Sequence, residues 1–493
     1  MLEGTADSER VEGLKKLIPS AFLDEKFDLD VFLEMLEQSG IEVVRPERYV
    51  FSWTGKSEAI EARDSPGNQI LVPVIEDSID YEKTKNLFIE GDNLVALKIL
   101  RDSMPNSVKM IYIDPPYNAN SGQKFYDDDF RDALRNDKAD LTGTKYRRFC
   151  DENIESMETY GRRHSKWLSM IYPRISLARD LLKDEGVMFV SIDDTEVHNL
   201  RMVMNEVFGE ENVEVMIWKK VDSNEGKLKL IRRFRVEHEY VLVGYKNKER
   251  SHFRKVNELP RFKNLTENVD DDPRGDWVSG NISSTEEISV KGGKNYYVVT
   301  SPGGRKFSRQ WKFPRTEFDR LNRENRIYWG KDGNNVPRLK VFAKEPRSIY
   351  VSSIIEEKGT AKSAASEIAK LVGAECFPNP KPVKLIQYLI DAAETENEII
   401  LDFFAGSGTT AHAVLAQNSL DDGKRSFILV ELPAPVDRFS VSTKRGRKNL
   451  SNIAEITRAR IKAAIEEEQK FRMRKRVTTN SDLGMKVLRL SDR

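Results

Sequence analysis

Cysteine is nearly absent: Cys150 and Cys376 are the only two in 493 residues. That excludes a disulfide framework and a cysteine-built zinc cluster, and suits a reducing cytosol. The five histidines, at positions 164, 198, 238, 252 and 412, show no His-Glu-x-x-His or comparable ligand spacing, so no metal is expected,. No apolar run approaches the ~18–20 residues of a membrane span. The opening "MLEGTADSERVEGLKKL" carries charges where a signal peptide needs an apolar core,. The expectation is a cytoplasmic protein with no membrane partner. Net charge is missing too, since Lys+Arg and Asp+Glu each total 80. Any nucleic-acid binding must then come from local patches.

What is there is a regular alternation of apolar runs with two periods. "NLFIEGDNLVALKIL" reads as strand, tight turn and helix, and "VKMIYIDPPY" supplies a second strand,. A helix-spaced stretch from "HSKWLSMIYPRISLARDLL" leads to "VMFVSIDD", then to the strand pair "VEVMIWKK" and "EHEYVLVGYKN". This alternation predicts an α/β fold on a mostly parallel sheet. Residues 1–83 read as a helical lead-in and connector, and 84–245 as the first α/β half. From 246 to 375 Gly, Pro, Asn and charges dominate around scattered aromatics such as Trp277, Tyr296, Tyr297, Trp311 and Trp329, the pattern of a partly β insertion with exposed rings. The α/β pattern resumes over 376–440, and 441–493 reads as a basic linker and a charged helix. The polar stretch from Asn118 to about Gly161 reads as a long lid-like loop.

Two stretches carry chemistry. Met110–Ile113 is a buried-strand run delivering Asp114 into Pro115, Pro116 and Tyr117. The prolines end the strand, leaving a carboxylate, free carbonyls and a ring at its carboxyl end, where open α/β sheets bind ligands. A plain strand-ending turn gives the same letters. In "EIILDFFAGSGTTAHAV" a strand ends at Asp402, the turn holds Gly406 and Gly408, and a helix starts near Thr409. Glycines let a ligand approach the backbone, and the helix start favours negative charge. Glu431 closes the next strand about 23 residues after Gly408, where a carboxylate can hold ribose hydroxyls,. On these residues alone a nicotinamide oxidoreductase competes with a methyltransferase. No Lys-Ser/Thr follows the glycines, which excludes a P-loop and any expectation that this chain drives its own translocation.

Together, Asp114-Pro115-Pro116-Tyr117 and Phe404-Ala405-Gly406-Ser407-Gly408 resemble the D-P-P-Y and F-x-G-x-G signatures of the β-class amino-methylating DNA methyltransferases, catalytic motif first. "NLFIEGDNLVALKIL", "HEYVLVGYKN", "DDPRGDW" and "LGMKVLRL" extend the resemblance to the modification subunits of type III restriction–modification systems over nearly the whole chain. Family members are expected to continue beyond "LGMKVLRL", so no C-terminal contact is carried over.

The resemblance implies a Rossmann-like S-adenosylmethionine-dependent methyltransferase fold with circularly permuted motifs and an inserted target-recognition region over 246–375. It implies methylation of adenine N6 in double-stranded DNA by base flipping, with S-adenosyl-L-methionine as donor and a separate helicase–nuclease subunit for restriction; a homodimer stays open. N4-cytosine relatives more often carry Ser at the first motif position, so Asp114 favours adenine. Asp114 and the Pro115 carbonyl would accept both amino hydrogens, aiming the nitrogen lone pair, while Tyr117 would stack on the flipped base. Asp402 would meet the methionine end of the cofactor, Phe404 and Ala405 would line its pocket, and Gly406, Ser407, Gly408 and Thr409 would form its turn. Glu431 would hold the ribose, and Lys381-Pro382 would close over the methionyl part. Asp92 would lie near cofactor or base, beside the D-P-P-Y strand. A turn at Asp92 and a helix start at Pro382 remain the alternatives. Asp193 and Asp194 read as target-pocket support or a solvated strand end, and His238 and His412 as structural. "KKVDSNEGKLKLIRRFR" (219–235), "KRGRK" (444–448) and the basic segments of the insertion are candidate phosphate contacts.

Overall fold

The computed structural model describes residues 13, 15–23, 26–39, 50–118, 154–221, 234, 236–258, 268–373, 376–435, 450–475 and 481–492. Most of the expected lid, most of the 219–235 basic stretch and "KRGRK" lie outside these residues. The chain divides into two units, Met1–Ser52 and Trp53–Arg493. In the first, strands Phe22–Leu23 and Lys26–Phe27 pair ahead of a helix over Leu29–Gln38. The rings of Phe22, Phe27 and Phe32 pack in sequence at 5.1 and 5.5 Å.

The second unit is built on a ten-stranded sheet. In chain order its strands are β1 (Gln69–Pro73), β2 (Leu87–Glu90), β3 (Val108–Ile113), β4 (Leu182–Ile192) and β5 (Val213–Lys219). They continue with β6 (His238–Tyr245), β7 (Ile354–Ile355), β8 (Ile399–Asp402), β9 (Ser426–Glu431) and β10 (Lys486–Asp492). Across the sheet the order is β7-β5-β6-β4-β3-β8-β9-β2-β10-β1. The six strands from β4 to β10 are parallel; β6 and the edge strand β1 run antiparallel to their neighbours.

Every residue of β3 is buried, as the apolar run Met110–Ile113 predicts for a strand covered on both faces, with Lys109 bonded to the Glu185 carbonyl. Truncating Ile111 or Ile113 there would cost about 2–5 kcal/mol. Among the described residues eight helices accompany the sheet. These are α1 (Lys56–Asp64), α2 (Asn93–Ser103), α3 (Ile154–Leu181), α4 (Val197–Phe208), α5 (Ala361–Leu371), α6 (Val383–Ala392), α7 (Thr409–Asp421) and α8 (Ile453–Lys475). Ala411 and Ala413 of α7 are fully buried, so this helix lies close against its neighbours.

β3 and β8 are side by side, with Leu401 opposite Ile111. From β3 the chain continues through α3 to β4 on one flank; from β8 it continues through α7 to β9 on the other. The order reverses at that gap, so the carboxyl ends of β3 and β8 flank a topological switch point, where open α/β sheets place their ligands. This arrangement corrects one expectation. β2, which ends just before Asp92, does not flank the D-P-P-Y strand, because β8 and β9 from the far end of the chain stand between them.

Between β6 and β7 the chain leaves the sheet. Strands Val256–Glu258 and Arg347–Ile349 pair as a stem. Beyond them lie a three-stranded sheet (Trp277–Gly280, Arg338–Phe342, Ile327–Tyr328), a hairpin of Tyr296–Thr300 with Lys306–Gln310, and a helix over Arg315–Arg323. Trp277, Trp311 and Trp329 are buried, the last two in one cluster with Phe307 and Phe318. These rings, expected at the surface, instead hold this small body together. The chain rejoins the main sheet at Ile354, earlier than the expected 375, and Met485–Asp492 adds a strand beyond the expected last helix.

Candidate active site

Asp114 leaves β3 at the switch point, and the two prolines turn the chain so that Asp114, Pro115, Pro116 and Tyr117 all face one cavity of about 530 Å³. Phe404 and Gly406 from the loop after β8, and Glu431 from the end of β9, line the same cavity. The two motifs, nearly 300 residues apart in sequence, therefore open onto one space, of a size typical for a cofactor-scale ligand.

On the β3 side the charges are paired. The Lys381 ammonium lies 2.7 Å from each Asp114 carboxylate oxygen and donates to the Tyr117 hydroxyl at 2.8 Å. Tyr117 donates to Asp114 Oδ1 at 2.7 Å and to Glu239 Oε2 at 3.3 Å. Lys220 holds Glu239 Oε1 at 3.1 Å. Burial lifts the Asp114 carboxyl above the usual carboxylate range, with Lys381 opposing. Burial alone would depress Lys381, yet Asp114 and Glu239 outweigh it and hold the ammonium above an ordinary lysine. For Glu239 the desolvation is likewise outweighed by Lys381 and Lys220, leaving its carboxyl below the ordinary value. The Trp167 indole N–H donates to the Pro116 carbonyl at 2.6 Å. Among the described residues no donor occupies the Pro115 carbonyl.

The β8–β9 side is different. Glu431 accepts from the Gly406 amide at 2.6 Å, and with no cation beside it among the described residues, burial pushes its carboxyl up to about 8. Asp402 is lifted to about 7 by burial. It points back into its own loop, accepting from the Phe404 amide at 3.0 Å and the Thr410 hydroxyl at 2.6 Å. Gly406 and Gly408 have φ of +51° and +78°, a region that L side chains avoid. A Cβ on Gly406 would come within 3.1 Å of the Phe377 ring, which also lines the cavity.

Of the expected cofactor residues, Phe404, Gly406, Glu431 and Lys381 reach the cavity, while Asp402, Ala405, Ser407, Gly408 and Thr409 sit behind it. Thr409 and Ser407 are bonded to the buried Arg460 of α8 at 2.7 and 2.8 Å. Thr409 also donates to the Lys381 carbonyl at 3.3 Å. Pro382 caps α6, as the plainer reading holds. Asp92 caps α2, accepting from the Leu94 and Val95 amides, and pairs with Arg174 at 3.3 Å. It does not line the cavity; its neighbour Asn93 braces the loop by donating to the Phe403 carbonyl at 2.7 Å. Asp193 lines the cavity and Asp194 is exposed. Burial drives His412 down to about 3, and the His238 ring packs on Tyr240 at 5.0 Å.

The sequence has counterparts among known proteins. The sequence profile of the DNA methylase family matches residues 108–432. The chain belongs to the DNA methylase family. Over 97% of its length it is 31% identical to the Mod subunit of the type III restriction–modification enzyme StyLTI from Salmonella typhimurium, covering 73% of that protein. It is 30% identical to the EcoP15I Mod subunit from Escherichia coli, over 99% of this chain and 78% of that one. The type II methyltransferase M.KpnI from Klebsiella pneumoniae is 28% identical over 76% of this chain and 86% of its own. A putative DNA modification methylase from Thermus thermophilus, solved with S-adenosyl-L-methionine, covers 82% of this chain and 99% of its own at 13% identity and TM-score 0.33, too distant to carry an argument. This DNA methyltransferase thus sits with the type III modification subunits.

Three side chains of the methyltransferase site escape the sequence reading: Glu239, Trp167 and Phe377. Lys220, read with 219–235 as a candidate phosphate contact, instead pairs with Glu239. Glu239 has a signal. It is a carboxylate at the start of an otherwise apolar strand, where a charge needs a buried partner.

Proposed function

We propose that this methyltransferase transfers a methyl group from S-adenosyl-L-methionine to the N6 amino group of an adenine flipped out of double-stranded DNA. The observation that carries the reading is the shared cavity: Asp114–Tyr117 and Phe404–Gly406–Glu431 face one another across the switch point. The residues fit the donor. Glu431 is a desolvated carboxylate suited to ribose hydroxyls, Phe404 and Phe377 are aromatic walls for a purine, and Gly406 lets the ligand approach the backbone. When bound, the donor supplies an electrophilic methyl carbon on a positively charged sulfur.

The chain supplies the nucleophile's orientation. An adenine amino group is weakly nucleophilic because its lone pair is delocalised into the ring. Asp114 accepts one amino hydrogen and the Pro115 carbonyl the other, which localises the lone pair and aims it across the cavity. Tyr117 stacks on the base, and stacking of about 1–3 kcal/mol offsets much of the few kcal/mol that extrusion costs. The insertion reads target sequence, its stem holding it at the edge of the cavity-bearing domain. A helicase–nuclease subunit is the proposed partner for restriction. Among the described residues no helix is long and apolar enough to cross a membrane, and the cytoplasm is the proposed location.

The test is to incubate the purified chain with DNA and methyl-labelled donor, then map modified bases by long-read sequencing. N6-methyladenine at one short motif is the expected result. N4-methylcytosine would replace the adenine assignment, and no DNA methylation would overturn the reading.

A further inference from the structure

We infer that Glu239 is a positioning residue for methyl transfer, taking the Lys381 ammonium off Asp114 when the target amino group arrives. The inference rests on the reading above and deepens it.

Three of the roughly four acceptor sites of Asp114 are taken in the arrangement seen,. Lys381 straddles both of its oxygens at 2.7 Å, and Tyr117 adds a third donor on Oδ1. An amino group entering from the cavity competes with Lys381 for the carboxylate,. To leave the amino group an uncontested face of Asp114, Lys381 must draw back, yet its side chain is only 7% exposed. A buried ammonium stripped of its counter-charge is strongly disfavoured, so it needs a second seat within reach.

Glu239 is that seat. Its Oε2 lies 3.5 Å from the Lys381 nitrogen and 3.3 Å from the Tyr117 hydroxyl. Both donors that block Asp114 therefore share one alternative acceptor. A charge-assisted bond needs about 2.8 Å, so the ammonium has to travel roughly 0.7 Å. Glu239 is itself fixed. It sits in β6 opposite Trp218, and Lys220 anchors its other oxygen at 3.1 Å. The cluster holds two carboxylates and two lysines. Moving Lys381 within it leaves the balance of charge unchanged while freeing one Asp114 face for the incoming N–H. This also accounts for a glutamate near the start of an apolar strand whose side chain lines the cavity.

The experiment is single-turnover methyl transfer from labelled donor to target DNA by the wild type, Glu239→Gln, Glu239→Asp, Lys381→Met and the Glu239→Gln/Lys381→Met double variant. Calorimetric affinity for S-adenosylhomocysteine is measured on each preparation. Glu239→Gln is expected to slow transfer about 10–100-fold with cofactor affinity unchanged, and Glu239→Asp to recover all but a few-fold. In the Lys381→Met background, with no ammonium to accommodate, Glu239→Gln should add less than threefold. An equal loss in both backgrounds, or a Glu239→Gln enzyme as fast as wild type, overturns the inference. Should Glu239→Gln or Lys381→Met fail to bind cofactor, Glu239→Asp decides. A few-fold fall in kcat at unchanged KM for DNA supports the role; wild-type kcat, or a change confined to KM, refutes it. A wild-type chain that binds cofactor and DNA but transfers no methyl would overturn the function itself, a distinct result.

Discussion

The two walls of the cavity treat their carboxylates in opposite ways. On the β3 wall Asp114 and Glu239 are matched by Lys381 and Lys220, and the cluster is internally satisfied. On the β8–β9 wall Glu431, and behind it Asp402, are buried without a cation among the described residues, and both are lifted, to about 8 and about 7. On the first wall a ligand has to compete with bonds already made. On the second, Glu431 accepts from the Gly406 amide and has room for more donors; hydroxyl groups bonding a carboxylate favour its charged form. In the proposed reading one wall competes with an incoming amino group and the other captures a polyol.

Breaking each wall should therefore give a different signature. The largest effect is expected from Asp114→Ala. Transfer should fall on the order of 10²–10³-fold or more, while cofactor affinity by calorimetry stays near wild type. Next is Gly408→Val. At φ +78°, with its Cβ 3.2 Å from the Thr457 methyl, a β-branched residue distorts the turn, by about 1–3 kcal/mol for the backbone alone. Cofactor binding should weaken tenfold or more.

Glu431 gives a pH test with two signs. Below about 8 its carboxyl is protonated in the free protein, so cofactor affinity should strengthen as pH rises from about 6 to about 9, and Glu431→Gln should flatten that rise. The stability of the unliganded chain should move the other way. Burial stabilises the protonated form, so its contribution is complete below the ordinary carboxylate range and is lost as pH rises toward about 8,. Thermal melting at about pH 6 and about pH 8.5 should show a drop for wild type and a smaller one for Glu431→Gln. The smallest effect is expected at the exposed hairpin of the insertion. Lys306→Ala should weaken DNA binding a few-fold regardless of sequence and reduce the salt slope by about one.

The core of this site is legible in the sequence because each motif is local. An apolar strand that ends in Asp-Pro-Pro-Tyr, and one that ends in Asp-Phe-Phe-Ala-Gly, announce their own carboxyl ends, and the parallel fold puts such ends on one edge. What is not legible depends on contacts distant in sequence. The letters Lys-Pro point Lys381 toward the cofactor, but its side chain reaches Asp114, 267 positions away. Asp92 looks adjacent to the D-P-P-Y strand because it precedes it in the chain; the insertion of β8 and β9 between them is a property of topology that no local pattern carries. The tryptophans of 246–375 look exposed because their neighbours are polar. Packing with Phe307 and Phe318 buries Trp311 and Trp329, and pairing opposite Phe342 buries Trp277, all the same.

The central claim is that one cavity seats the methyl donor against Asp114. A structure of the chain with S-adenosylhomocysteine tests it most directly. The account predicts ribose hydroxyls on Glu431 and the sulfur turned across the cavity toward Asp114. A ligand seated elsewhere, or one whose sulfur faces away from Asp114 with Glu431 unengaged, would contradict it.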